Sequence, residues 1–142
     1  MRVHMRIILT ADIHGNLPAL EAVLEHGYGQ GGNRLWDLGD QVGYGAFPDE
    51  VVSLIARSAN RAVIGNYDRK VLKIEKKSQK WRDKKNPIKL FAFEWAHSQL
   101  SRRNRRRLGN LPKTCEFELE GYRINLSHKG PRIDKKPLKP GR

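Results

Sequence analysis

The sequence predicts an α/β fold: a β-α-β-α-β unit, then a helical insert, then a β-hairpin. Three observations carry this. Three short apolar runs (Arg6–Thr10, Arg34–Leu38 and Arg61–Ile64) alternate with stretches of helical period. Each run ends on a polar motif, as strands do where they open into a ligand-binding edge. Late in the chain, Thr114–Leu119 and Tyr122–Ser127 flank Glu120-Gly121, the pattern of an antiparallel hairpin.

Taken in order, the first strand is followed by Asn16, a good N-cap, with Pro18 in the first turn. Leu17, Leu20, Val23 and Leu24 recur at helical spacing to about His26, where Gly27-Tyr28-Gly29-Gln30-Gly31-Gly32 ends the helix. This glycine run follows a helix and precedes a strand, the wrong order for a dinucleotide-binding loop. A second helix opens at Pro48-Asp49-Glu50, with acidic residues where the helix dipole favours them, and buries Val51, Val52, Ile55 and Ala59. The two crossovers make the strands parallel. The lysine-rich stretch 73–85 is expected to be a mobile loop or frayed helix. From Asn86-Pro87 to about Leu100, Ile88, Phe91, Ala92 and Trp95 mark one face, while Leu90, Phe93 and Leu100 mark another. Such a helix is expected to be packed on both sides. Ser101 caps a short helix, Arg102–Leu108, ended by Gly109, with its five arginines on the solvated side.

The motifs after the three strands are Asp12-Ile13-His14-Gly15-Asn16, Gly39-Asp40 and Gly65-Asn66-Tyr67-Asp68. Lying side by side at one sheet edge, they would bring two Asp, one His and one Asn together. Such oxygen and nitrogen donors suit Mn²⁺, Fe or Zn²⁺, and a shared carboxylate suits a two-metal hydrolytic centre. Asp12 and His14 are two apart, so in extended backbone both side chains would face one ion.

The order Asp-x-His-Gly-Asn, Gly-Asp-x-x-Gly-Tyr-Gly, Gly-Asn-x-Asp resembles the calcineurin-like metallophosphoesterases, in particular their small prokaryotic phosphodiesterase-type branch, from about Met5 to Pro131. The resemblance implies an incomplete αββα sandwich and two divalent ions, Mn²⁺ first, with Fe, Zn²⁺ or Ni²⁺ as alternatives. It makes Asp12 and His14 ligands of one ion and Asp40 the bridge. Asn66 and His128, which follows the last strand, become ligands of the other. Tyr67 stands where most of the superfamily has histidine. A phenol holds its proton at neutral pH, so Tyr67 is expected to assist electrostatically and to favour good leaving groups. Asp68 is expected to orient a neighbour or cap the next segment. Family members continue past this last strand with further strands and a Gly-His-x-His motif supplying a ligand to each ion. Here His128-Lys129-Gly130-Pro131 replaces the usual His-Gly-Ser-Pro, and a basic, Pro-rich stretch follows. The expectation is a shortened domain over 1–131 with impaired activity, and a disordered tail over 132–142.

Composition agrees with one domain at most and with no membrane span. Met1–Thr10 lacks a cleavage site, and the single Cys115 fits a reducing, cytoplasmic setting. Of the net charge of +13, residues 1–68 contribute −3 and residues 69–142 contribute +16. Such a field is expected to attract phosphorylated or polyanionic partners, against the plainer reading that the excess lies on solvated helix faces. A small phosphorylated substrate is what the resemblance implies, and any nucleic-acid binding is expected to be weak and non-specific. The alternative function is an inactive basic module docking nucleic acid or protein on the same fold. His4, His26 and His97 are not expected to bind metal, and Trp36 is expected in the core.

Overall fold

In a computed structural model, which describes residues 4–130, three parallel strands lie in sequence order. β1 (Ile7–Thr10) pairs residue for residue with β2 (Arg34–Asp37), and β2 pairs with β3 (Arg61–Ala62) through Trp36↔Arg61 and Asp37↔Ala62. β3 is shorter than its apolar run because Ile64 donates its amide to Pro112 O (2.8 Å) and leaves the sheet. The expected tail over 132–142, with the boundary at 131, lies outside the described residues.

α1 (Leu17–Gly29) and α2 (Pro48–Ser58) cross over one face of the sheet. Their Leu20, Leu24, Val51 and Ile55 bury against Ile8 and Leu35. Full burial of each such side chain contributes about 1.5–3 kcal/mol. Asn16 caps α1 by accepting from Ala19 N (3.2 Å). The helix runs past Gly27 because this glycine is where the helix meets the sheet: a Cβ there would lie 2.7 Å from Ile8 Cδ1. The turn at Gly31, with φ +83°, then ends it.

The other face is covered by β4 (Thr114–Leu119) and β5 (Tyr122–Ser127), paired antiparallel from Thr114↔Ser127 to Leu119↔Tyr122. Glu120 and Gly121 both adopt positive φ, the conformation a two-residue hairpin turn requires. Leu126 joins Trp36 and Val63 in a third layer, with Phe117 packed edge-on against the Trp36 ring. The result is helices, parallel sheet and hairpin stacked in that order.

A helical cluster closes the end of the sheet. It comprises α3 (Asn66–Leu72), a 3₁₀ turn (Ile74–Lys76), α4 (Gln79–Asp83), α5 (Pro87–Gln99) and α6 (Arg102–Gly109). Its core holds Val42, Val52, Val71, Ile74, Phe93, Ala96, Leu100 and Leu108. Two expectations change here. Of the two readings of 73–85 the loop fails and the helix holds in part: Ile74 is buried in the 3₁₀ turn, Ser78 caps α4, and the Arg82 guanidinium donates to Ile74 O and pairs with Glu94. One buried side chain and one bridging arginine order a segment whose composition is otherwise that of a loop. Nor is α5 packed on both sides. Ala92, Phe93, Ala96 and His97 are buried, but Ile88 is 75% exposed, Phe91 65% and Trp95 40%, with the Phe91 and Trp95 rings stacked. Periodicity marks an apolar stripe and cannot say whether anything covers it.

The α6 arginines also divide. Arg102, Arg103 and Arg106 are exposed, whereas Arg105 donates to Leu100 O and His97 O, and Arg107 to Asn104 Oδ1. Asn104 in turn joins α6 to α2 through Asp49 and Ser53. Among the described residues no helix is long and apolar enough to cross a membrane.

Candidate metal centre

The loops after β1 and β2 are zipped together by backbone. Asp12 N donates to Gly39 O (3.0 Å), His14 N to Asp40 O (2.9 Å) and Gly15 N to Gln41 O (2.7 Å). β1 has ended at Thr10, so Asp12 and His14 do not share a face by strand alternation as expected. Both are left-handed, with φ 55° and 49°, and Asp40 has φ 57°. Apart from Glu120 in the hairpin turn, these are the described non-glycine residues with positive φ. Strain of this kind, about 1–3 kcal/mol per residue, concentrates where side chains must be aimed.

Asp40 is 2% exposed. Its Oδ1 accepts from Tyr67 N in the first turn of α3 (2.7 Å), which leaves Oδ2 between two imidazoles. His14 Nε2 lies 3.9 Å from Oδ2 on one side and His128 Nε2 3.3 Å on the other. Asp12 Oδ1 is 3.8 Å from His14 Nε2, and Asn66 Oδ1 is 2.9 Å from His128 Nε2. Asp12, Asp40 and His128 each offer a ligand atom, all within 4.8 Å of one another.

Both histidines are oriented by carbonyls. His14 Nδ1 faces Val42 O (3.1 Å) and His128 Nδ1 faces Leu38 O (2.8 Å). A carbonyl only accepts, so the proton belongs on Nδ1, and a neutral ring then turns the Nε2 lone pair inward. At the second position that lone pair, Asn66 Oδ1 and Asp40 Oδ2 confront one another with no donor among them. Three converging acceptors are what a cation satisfies, so the residues present fit divalent metal ions.

Asp68, buried completely, braces this geometry. Its Oδ2 accepts from Asp40 N (3.0 Å) and Gly65 N (2.8 Å), and its Oδ1 from Val42 N (3.1 Å). Burial pushes its carboxyl up to about 6, against the pull of these amides and with the Asp40 carboxylate adding to the rise. Asp37 beneath the loops is likewise raised to about 6 by burial, although Gln41 and Thr10 donate to it. Gly65 is required by close approach: a Cβ there would stand 2.0 Å from Asp40 Oδ1 and 2.2 Å from Asp40 N.

Tyr67 lies edge-on to His14, with centroids 5.0 Å apart, and its hydroxyl is 2.9 Å from that of Tyr44. This hydrogen bond raises the Tyr44 hydroxyl above its ordinary value. Tyr44, exposed and also edge-on to His14, borders the centre from Gly43-Tyr44-Gly45, a loop position from which the sequence allows it to line the pocket without singling it out as a site residue. Among the other histidines, His97 is buried in α5 with Nδ1 3.3 Å from Glu75, and burial lowers it. The structure thus brings Asp12, His14, Asp40, Asn66 and His128 together, sets Tyr67 beside them and spends Asp68 on backbone amides.

Comparison with known proteins agrees. The calcineurin-like phosphoesterase family model matches residues 5–138. An uncharacterized protein of Methanocaldococcus jannaschii is 36% identical over 130 residues, which cover 92% of this chain and 51% of that protein. The crystal structure of a metallophosphoesterase from Sphaerobacter thermophilus aligns at 40% identity with a TM-score of 0.63, over 78% of this chain and 43% of that one. A hypothetical protein from Pyrococcus horikoshii OT3 shares the fold, with a TM-score of 0.70 at 23% identity over 86% and 54% of the two chains. The chain spans about half the length of these relatives. With its three motifs on one sheet edge and its sequence matched over most of its length, the chain belongs to the calcineurin-like phosphoesterase family.

Proposed function

We propose that this chain hydrolyses phosphoester bonds, of phosphodiester or phosphomonoester type, at a centre for two divalent ions, Mn²⁺ being the first choice. The observation that carries the proposal is the set of inward-facing acceptors around Asp40 Oδ2, with both imidazoles held by Nδ1. Asp12, His14 and Asp40 would hold one ion; Asp40, Asn66 and His128 would hold the other. Bound there, such ions supply Lewis-acid stabilisation of phosphoryl charge and a nucleophile at neutral pH.

The chain's own groups aim and brace. Val42 O and Leu38 O set the histidine tautomers, and the Tyr67 amide holds Asp40 Oδ1. Asp68 acts as a positioning residue through the amides of Asp40, Val42 and Gly65. The paired Tyr44 and Tyr67 hydroxyls border His14 and offer a hydrogen bond to a leaving oxygen rather than a proton shuttle. These five ligands would give each ion three protein donors, leaving room for water and substrate. The substrate is a small phosphorylated molecule, the setting cytoplasmic, and nucleic-acid binding weak and non-specific.

The test is hydrolysis of a chromogenic phosphodiester and the matching monoester by the 142-residue chain, with Mn²⁺ and after chelation, beside calorimetric Mn²⁺ titration. Metal-dependent release with detectable Mn²⁺ binding is expected. No Mn²⁺ binding and no hydrolysis would leave the inactive basic module as the better reading, and hydrolysis insensitive to chelation would refute the metal role.

A further inference from the structure

Next to the Asn66–His128 side of the centre lies a pocket of about 320 Å³ walled by Asn66, Arg69, Lys70, Lys73, Lys77 and Lys129. Asn66, Arg69, Lys70 and Lys73 recur at three- and four-residue spacing along α3 and its C-terminal cap, so they share one side. Lys77 follows the 3₁₀ turn, and Lys129 arrives from the far end of the chain, directly after His128. Five basic residues therefore border one pocket beside Asn66, with the Lys70 ammonium over the Tyr67 ring (4.8 Å) and the Lys77 ammonium over the Trp81 ring (5.1 Å).

Two further observations bear on what the pocket holds. Among the described residues, none of these cations has a carboxylate partner within 4.0 Å. The walls carry no aromatic side chain, so they offer no platform for stacking a base. Positive charge of this density in so small a volume suits linked phosphates, which present many acceptor oxygens to Lys and Arg donors.

We infer that this pocket is a second anion subsite that takes a chain of linked phosphates, whether from an inorganic polyphosphate or from a nucleoside polyphosphate. Its role as a substrate subsite rests on the hydrolytic reading above, with the phosphoryl group to be cleaved on the Asn66–His128 side. Its capacity to bind the phosphate chain rests on the pocket alone. The phosphates are recognised and any base is left outside.

Calorimetry on the 142-residue chain in metal-free, chelator-treated buffer tests this, with inorganic tripolyphosphate, a nucleoside triphosphate and orthophosphate as ligands. Tripolyphosphate should bind at one site, the nucleoside triphosphate within about threefold of it, and orthophosphate at least about tenfold more weakly. Lys73→Gln/Lys77→Gln should weaken tripolyphosphate binding about tenfold or more. Arg102→Gln/Arg103→Gln, removing equal charge from exposed positions outside the pocket, should change it less than about threefold. Equal weakening by both double variants would mean a diffuse charge field and overturn the subsite, as would orthophosphate binding as tightly as tripolyphosphate. A nucleoside triphosphate preferred more than about tenfold would overturn recognition of the phosphates alone. Mn²⁺ titration of Lys73→Gln/Lys77→Gln should match the parent chain, which shows the fold and metal centre intact. A parent chain that binds tripolyphosphate in this pattern but no Mn²⁺ would overturn the substrate role while the pocket stands; Mn²⁺ binding without the pattern would overturn the pocket alone.

Discussion

The loops at the sheet edge and the helical insert from α4 to α6 are held by different means. In the loops the backbone itself is the constraint. Three proposed ligands are left-handed, Gly65 meets Asp40 with no room for a Cβ, and one carboxylate gathers three amides. In the insert the constraint lies in side chains that hold short helices in place: Ser78, Asn86 and Ser101 as caps, Phe93 as an anchor, and Ile74 in the 3₁₀ turn just before α4. The lesson is that tolerance to substitution should differ sharply between regions of similar burial.

Gly65→Ala should have the largest effect, about 3 kcal/mol or more of stability in urea titration, because the Asp40 backbone nitrogen and the buried Asp40 carboxylate, itself held by the Tyr67 amide, both block the new methyl. A loss below about 1 kcal/mol would show that the loops relax as the insert does. Asp40→Asn should weaken Mn²⁺ binding between about 10²- and 10³-fold, against roughly tenfold for Asn66→Ala, since a bridging carboxylate carries charge to two cations. Equal losses by calorimetry would remove the bridge from the comparison.

Asp37 sharpens it through pH. Its folded value is about 6 against an ordinary 3.8, raised chiefly by burial. The folded state takes up the proton first as pH falls, so this carboxyl costs stability above pH 6, and the cost is relieved on descending toward pH 4. Asp37→Asn should therefore flatten the pH dependence of metal-free stability by about 2–3 kcal/mol between pH 7.5 and 4. An unchanged slope would place the titration elsewhere.

In the insert, Asn86→Ala should cost about 1 kcal/mol, because Asn86 Oδ1 caps α5 by accepting from Ile88 N and Lys89 N. Exposed Arg102→Ala should change stability by less than about 0.5 kcal/mol. If Arg102→Ala matched Asn86→Ala, the insert would depend on surface charge and not on caps.

The sequence by itself determined the β-α-β-α-β order, the helices from Pro87 and Arg102 and the closing hairpin, and it named the candidate donors. Strand and helix periods are local, Asn16 and Ser101 are read as caps from neighbours within three residues, and Asp-x-His, Gly-Asp and Gly-Asn are contiguous. What only the tertiary structure decided involves atoms far apart in the chain. Leu38 O sets the tautomer of His128 across 90 residues, and Asp68 clasps Val42 across 26. Whether an apolar stripe such as Ile88, Phe91 and Trp95 is covered depends on what lies opposite, which no period records. The backbone at Asp12 and His14 leaves the strand for left-handed turns because the β2 loop captures their amides through Gly39 O and Asp40 O. Local pattern specifies which groups are present; packing between distant segments specifies where their lone pairs point.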